Sequence, residues 1–174
     1  MRQVKLKWVA NIVMLGAGLI CQSSSWSQTA LAKPGGQVIL TVSGAIASFN
    51  QGGTAQFDAA MIDALPSHDI TTQTPWYKQA KTFSGPRLSA LLSALGARGA
   101  TLEIKALNDY TVNVPFADAN NYQPILARRM DSKVLSIRDK GPLFLVYPFD
   151  ALPELKNDVY YGRSIWQISS IVIR

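Results

Sequence analysis

The chain reads as an α+β, mainly β domain with mixed sheets and two or three short helices. Three observations predict this. Many short runs alternate apolar and polar residues, the pattern of half-buried strands. Helical spacing occurs only in brief stretches, the clearest being Leu88, Leu91, Leu92 and Leu95. Strands and helices do not alternate regularly, which argues against a doubly wound parallel sheet.

Taken in order, Lys33–Gly36 is a short flexible lead, and Val38–Val42 is a first strand closed by Ser43-Gly44. Asn50–Gly53 carries a turn. Gln56-Phe57 is a short strand, and Asp58 suits the N-cap of a helix through Ala64, stopped by Pro66. Residues 68–74 are β-prone and polar at alternate positions, and they lead into Pro75-Trp76-Tyr77. Lys81–Gly85 is a loop or short strand, after which Ser84 or Gly85 caps a helix with Pro86 in its first turn and Gly96 at its end. Thr101–Ala106 and Thr111–Val114 form a hairpin about residues 107–110. Asp118–Tyr122 is a short helix, and Ile125–Met130 pairs with Val134-Leu135 about residues 131–133. Leu143–Tyr147 has the unbroken apolar character of a buried strand, and Ile165–Ile173 alternates.

The amino terminus reads as a cleaved secretory signal over residues 1–32. Arg2, Lys5 and Lys7 precede an uncharged, mostly apolar run from Trp8 to Ile20, and Ala30-Leu31-Ala32 offers a small-x-small cleavage site. The apolar run is shorter than the roughly 20 residues a spanning helix needs. No paired arginines mark a twin-arginine route, so general export is expected, to the periplasm or outside the cell. Cleavage removes Cys21, the one cysteine, and leaves no thiolate as metal ligand, nucleophile or disulfide partner.

Removing 32 of 174 residues leaves 142, the size of one domain, with no further membrane span. Three of the 17 basic residues lie in the signal, so 14 face 11 acidic ones and the net charge is +3. That balance argues against a nucleic-acid partner.

The densest polar constellation is Arg128, Arg129, Lys133, Arg138 and Lys140, with Asp131 and Asp139 interspersed. Converging cations hold phosphate or carboxylate, whereas alternating charges about a hairpin are more often a solvated face. Strand alternation sends Arg128 and Arg129 to opposite faces, so one at most serves a given pocket, and which one is open. Asn108-Asp109-Tyr110 is favoured as a plain turn. His68, the single histidine, reads as a surface residue.

Several motifs, in order, resemble the molybdopterin-binding domain of sulfite-oxidase-like oxidoreductases. Phe83-Ser84-Gly85-Pro86-Arg87-Leu88-Ser89-Ala90-Leu91-Leu92 is similar to that family's aromatic-x-Gly-x-x-Leu-x-x-Leu-Leu helix entry. Asn108–Pro115 is similar to its Asp-Gly-Tyr hairpin. Leu126-Ala127, Asp131–Leu135, Lys140–Leu143 and Val146-Tyr147-Pro148 follow its later strands and turns, and Ser164–Val172 its terminal strand. The likeness spans residues 37–173 and is nearest to a compact exported subgroup. It implies a sulfite-oxidase-like fold, molybdopterin as the cofactor to consider, and a cleft bordered by Thr72, Thr74, Trp76, Tyr77 and the 108–110 loop. A tryptophan beside proline is as often a core or loop plug, and Arg163, within reach of the cleft, is favoured as a surface cation.

The chain departs from the family where its chemistry resides. The family's molybdenum-binding cysteine corresponds to Thr71-Thr72-Gln73-Thr74-Pro75-Trp76, which has no sulfur, and hard neutral hydroxyls replace soft thiolate poorly. Lys140 stands for a family histidine and Phe144 for an arginine. Neither a catalytic residue nor a metal ligand is therefore assigned. The candidate cofactor-cleft residues are Thr72, Thr74, Trp76, Asn108, Asp109, Tyr110, Arg128, Arg129 and Lys140. The expected role is a non-catalytic periplasmic binding or accessory module, its partner an anionic or aromatic small molecule or a periplasmic or membrane protein. The alternative is a molybdopterin-dependent oxidoreductase that holds its cofactor without a cysteine.

Overall fold

A computed structural model describes residues 31–174. Residues 1–30, with most of the expected signal, lie outside the described part. Of the remainder, Leu31 packs on the main core and the Ala32 carbonyl accepts a hydrogen bond from Asn50 Nδ2 at 2.7 Å.

The strands are β1 (Val38–Gly44), β2 (Ala55–Asp58), β3 (Ser67–Thr72), β4 (Lys81–Pro86), β5 (Thr101–Ala106), β6 (Thr111–Pro115), β7 (Ile125–Ala127), β8 (Arg129–Met130), β9 (Lys133–Val134), β10 (Phe144–Val146) and β11 (Ile168–Ile173). Four short helices interrupt them: α1 (Ala59–Asp63), α2 (Leu88–Ala94), α3 (Asp118–Asn121) and α4 (Asp158–Arg163). A five-stranded mixed sheet has the order β2-β1-β11-β5-β6, its β1–β11 pair parallel. A four-stranded sheet runs β3-β4-β8-β9, and β10 pairs with β7. The expected α+β, mainly β architecture is the one observed.

The apolar alternation accounts for the larger sheet. Leu40 and Val42 of β1, Leu102 and Ile104 of β5, and Ile168, Ile171 and Ile173 of β11 point into one core with Leu88, Leu91, Leu92 and Leu95. A smaller core joins Phe83, Ile125, Ala127, Leu135, Phe144 and Val146, with Trp76 and Trp166 packed on its edge. That second cluster carries the candidate site.

Four local expectations are corrected. The Gly35-Gly36 lead is not loose, because both backbone amides donate to Asp58 Oδ2 at 2.8 Å while Asp58 also caps α1. α2 starts at Leu88 with Arg87 as its N-cap, not at Ser84 or Gly85. Those residues and Pro86 continue β4, opposite Ser67–Asp69 of β3. The 125–135 segment is not one hairpin: β7 joins β10, and only β8 pairs with β9. β11 begins at Ile168 rather than Ile165, because Gln167 has φ +55° and cannot continue a strand.

Gly85 explains how the four-stranded sheet meets the β7–β10 pair. A Cβ there would overlap the Leu126 carbonyl oxygen and stand 2.8 and 2.9 Å from Leu126 C and Ala127 Cα, all backbone atoms. Only glycine lets β4 and β7 approach so closely.

Candidate functional site

A cavity of about 510 Å³ opens between the loop after β3, the β5–β6 turn, α4 and the segment entering β11. Its wall includes Pro75, Trp76, Asn108, Tyr110, Asp158, Tyr161, Ile165 and Trp166. Trp76 lies edge-on to Trp166 and Phe144, each at 5.5 Å between ring centroids, and to Tyr161 at 6.2 Å. Such contacts set the positive edge of one ring against the negative face of another and fix the wall's shape.

The loop bearing Trp76 is braced from behind. Thr72 Oγ1 accepts from the Asp150 amide at 3.0 Å, and the Asp150 carboxylate accepts from the Gln73 amide at 2.7 Å. Lys156 neutralises Asp150 at 2.6 Å, and these bonds hold its carboxyl below the ordinary range. Thr72 and Thr74 are both buried, and the Thr74 hydroxyl has no hydrogen-bond partner among the described residues. Neither threonine is on the cavity wall; they support the loop that supplies Pro75 and Trp76.

Lys140 joins this aromatic group from a left-handed turn position, φ +73°. Its Nζ lies 3.6 Å from the Trp166 ring centroid, 5.6 Å from Trp76 and 6.0 Å from Phe144. Burial among rings pulls its pKa below that of an ordinary lysine. The Gln167 amide donates to the Lys140 carbonyl at 3.2 Å, so the turn and the start of β11 are tied together.

The 108–110 loop does two things. Asn108 Oδ1 accepts from the Tyr110 amide at 3.2 Å, the side-chain mimicry of a tight turn, and Asn108 and Tyr110 also border the cavity. Asp109 does not: its side chain is 82% exposed and pairs with Lys105 at 2.7 Å.

Arg128 and Arg129 leave the cavity altogether, and their expected opposition is corrected. Arg128 is the bend between β7 and β8, its amide donating to the Ser84 carbonyl, so strand alternation breaks there. Both guanidiniums converge on Asp63 of α1, Arg128 at 3.1 and 3.3 Å and Arg129 at 3.3 and 3.4 Å. Burial pushes the Asp63 carboxyl up, but the bonds and charges of Arg128 and Arg129 outweigh it and hold the group low.

The element that sequence reasoning missed is α4. Asn157 caps it, its Oδ1 accepting from the Val159 amide at 3.0 Å, and Asn-Asp before a short polar-aromatic run was the available signal. Tyr161 and Asp158 face the cavity. Tyr160 and Arg163 turn the other way, where Arg163 and the Tyr147 hydroxyl donate to Asp118 at 2.9 and 2.8 Å. Arg163 thus belongs to a buried network. His68 pairs across β3–β4 with Gly85, and no group of three or more His, Cys, Asp or Glu among the described residues is placed to hold a metal.

The donor set does not fit a thiolate-ligated molybdenum centre or an anionic pterin. Thr72 is committed to its brace, the wall includes two indoles and two phenols, and its one full charge is the carboxylate of Asp158. Arg128 and Arg129 are bonded to Asp63, and Arg163 to Asp118.

No protein-family profile and no curated protein matches the chain. Among solved structures it is similar to the sulfane dehydrogenase SoxCD of Paracoccus pantotrophus, at 14% identity and a TM-score of 0.55. The match covers 77% of this chain and 37% of that one, so this chain spans well under half of the other's length. Such a likeness shows the fold alone, and it agrees with the α+β, mainly β architecture described above.

Proposed function

We propose that this protein is an exported, non-catalytic binding or accessory module of the periplasm or cell exterior. Its ligand, or a segment of a partner protein, enters the aromatic cavity between the Trp76 loop and α4. The observation that carries this reading is the wall itself. It is built from braced, edge-packed rings, while both arginines of the 128–129 pair are bonded to Asp63. A site that is mostly apolar, with a few placed polar groups, suits recognition of an organic molecule. Nothing on that wall offers a nucleophile paired with a base.

The test is metal and pterin analysis of protein isolated from its native envelope fraction, with amino-terminal sequencing of the same sample. We expect no stoichiometric molybdenum or pterin, and a sequence beginning at Lys33. One molybdenum per chain, with turnover of a reducible substrate, overturns the proposal.

A further inference from the structure

We infer that the cavity takes a protonated or quaternary amine carried on a flat apolar body, an inference that rests on the binding reading above. Size comes first. About 510 Å³ falls within the roughly 300–1,000 Å³ of small-molecule pockets and far exceeds a bare ion.

Charge comes next. Asp158 is the one wall residue with a full charge, it is exposed at the first position of α4, and it makes no ion pair among the described residues. Trp76, Trp166, Tyr161 and Tyr110 surround the space with rings whose negative faces attract cations. The nearby Lys105 is already paired with Asp109, and Arg163 with Asp118, so neither is free to draw an anion.

Lys140 shows that the tryptophan pair accepts an ammonium, because its Nζ lies over Trp166 with Trp76 close by and no carboxylate partner among the described residues. It is not itself on the cavity wall. Its positive charge opposes a second cation, and this supplies a control of opposite sign. Removing Asp158's charge weakens binding of an amine, whereas removing Lys140's charge strengthens it. A merely greasy pocket responds to neither.

The experiment is calorimetric titration of the full chain, at low salt, with benzyltrimethylammonium, benzyl alcohol and phenylacetate. The expected order of affinity is cation, then neutral alcohol, then anion. Asp158→Asn lowers the affinity for the cation about fivefold, the effect of one exposed charge pair, and leaves benzyl alcohol unchanged. Lys140→Met raises it by a similar factor. Trp166→Leu weakens both cation and alcohol, the cation by about tenfold. The inference is overturned if phenylacetate binds as well as the cation, if neither charge variant moves the cation, or if no probe binds at about 10 mM, far weaker than a built pocket gives. Metal-free protein that prefers phenylacetate sinks this inference alone, whereas stoichiometric molybdopterin in native protein sinks the binding reading beneath it.

Discussion

Replacing Asp63 by alanine asks whether Arg128 and Arg129 are structural ties or cations free for a ligand. The carboxylate accepts two hydrogen bonds from each guanidinium, at 3.1 to 3.4 Å. The Arg128 side chain is 9% exposed, that of Arg129 39% and that of Asp63 30%. Breaking a buried pair from one side costs about 3–5 kcal/mol, while an exposed pair contributes about 1 kcal/mol or less. Water reaches Asp63, so the loss for Asp63→Ala is about 2–3 kcal/mol, and that for Arg129→Ala is under about 1 kcal/mol. Urea unfolding at pH 7 reads both; with a slope of about 2 kcal/mol per molar, Asp63→Ala lowers the midpoint by about 1 M or more. The pH dependence has a definite sign. Asp63 is held below its ordinary 3.8 in the folded chain, so its contribution is present above that value and is lost as pH falls through the lower, folded one. The gap between wild type and variant is therefore full at neutrality and closes in acid. A loss under about 1 kcal/mol that stays flat with pH would falsify the structural assignment and return both arginines to the list of ligand contacts.

Three other perturbations probe the frame around the cavity. Gly85→Ala forces a methyl group into the Leu126–Ala127 backbone and costs at least about 2 kcal/mol in urea unfolding, the upper range of overpacking; an unchanged midpoint contradicts the close β4–β7 approach. Tyr147→Phe removes a buried 2.8 Å bond to Asp118, which keeps Arg163, so about 1.5 kcal/mol is lost and Tm falls by roughly 3–6 °C. In the wild type the Tyr147 phenol, raised by burial and then by Asp118, shows no ionisation in an absorbance titration to pH values where exposed tyrosines ionise. Asp58→Ala frees the Gly35 and Gly36 amides and uncaps α1, so hydrogen exchange at both glycines accelerates in the variant; unchanged protection there counts against the tie.

Period-2 alternation revealed β1, β5, β6 and most of β11 because one face of each is buried in a single core, and Asp58 announced α1 by its capping chemistry. The errors cluster where tertiary contact overrides local signals. Ser84-Gly85-Pro86 carries the marks of a helix start, yet pairing with β3 and the need for a glycine against β7 keep it extended. Arg128 escaped strand alternation because the chain changes sheets at that residue. Of the candidate residues, Trp76, Asn108 and Tyr110 line the cavity and Lys140 lies over the Trp166 ring of its wall. Thr72 and Thr74 stand behind it, and Asp109, Arg128 and Arg129 engage Lys105 or Asp63. Sequence spacing cannot show which carboxylate neutralises an arginine 65 residues away, and that pairing decided what the cavity can hold.

The position of β11 in the larger sheet has a consequence for biosynthesis. Its six residues join the β1–β2 pair to the β5–β6 pair, which do not otherwise touch within that sheet. A growing polypeptide that has not yet reached Ile168 holds two separate hairpins with an open seam between them, each exposing bare strand edges. Assembly of the main sheet is thereby postponed until synthesis passes that point, and the seam closes only when the last strand is delivered between the two pairs.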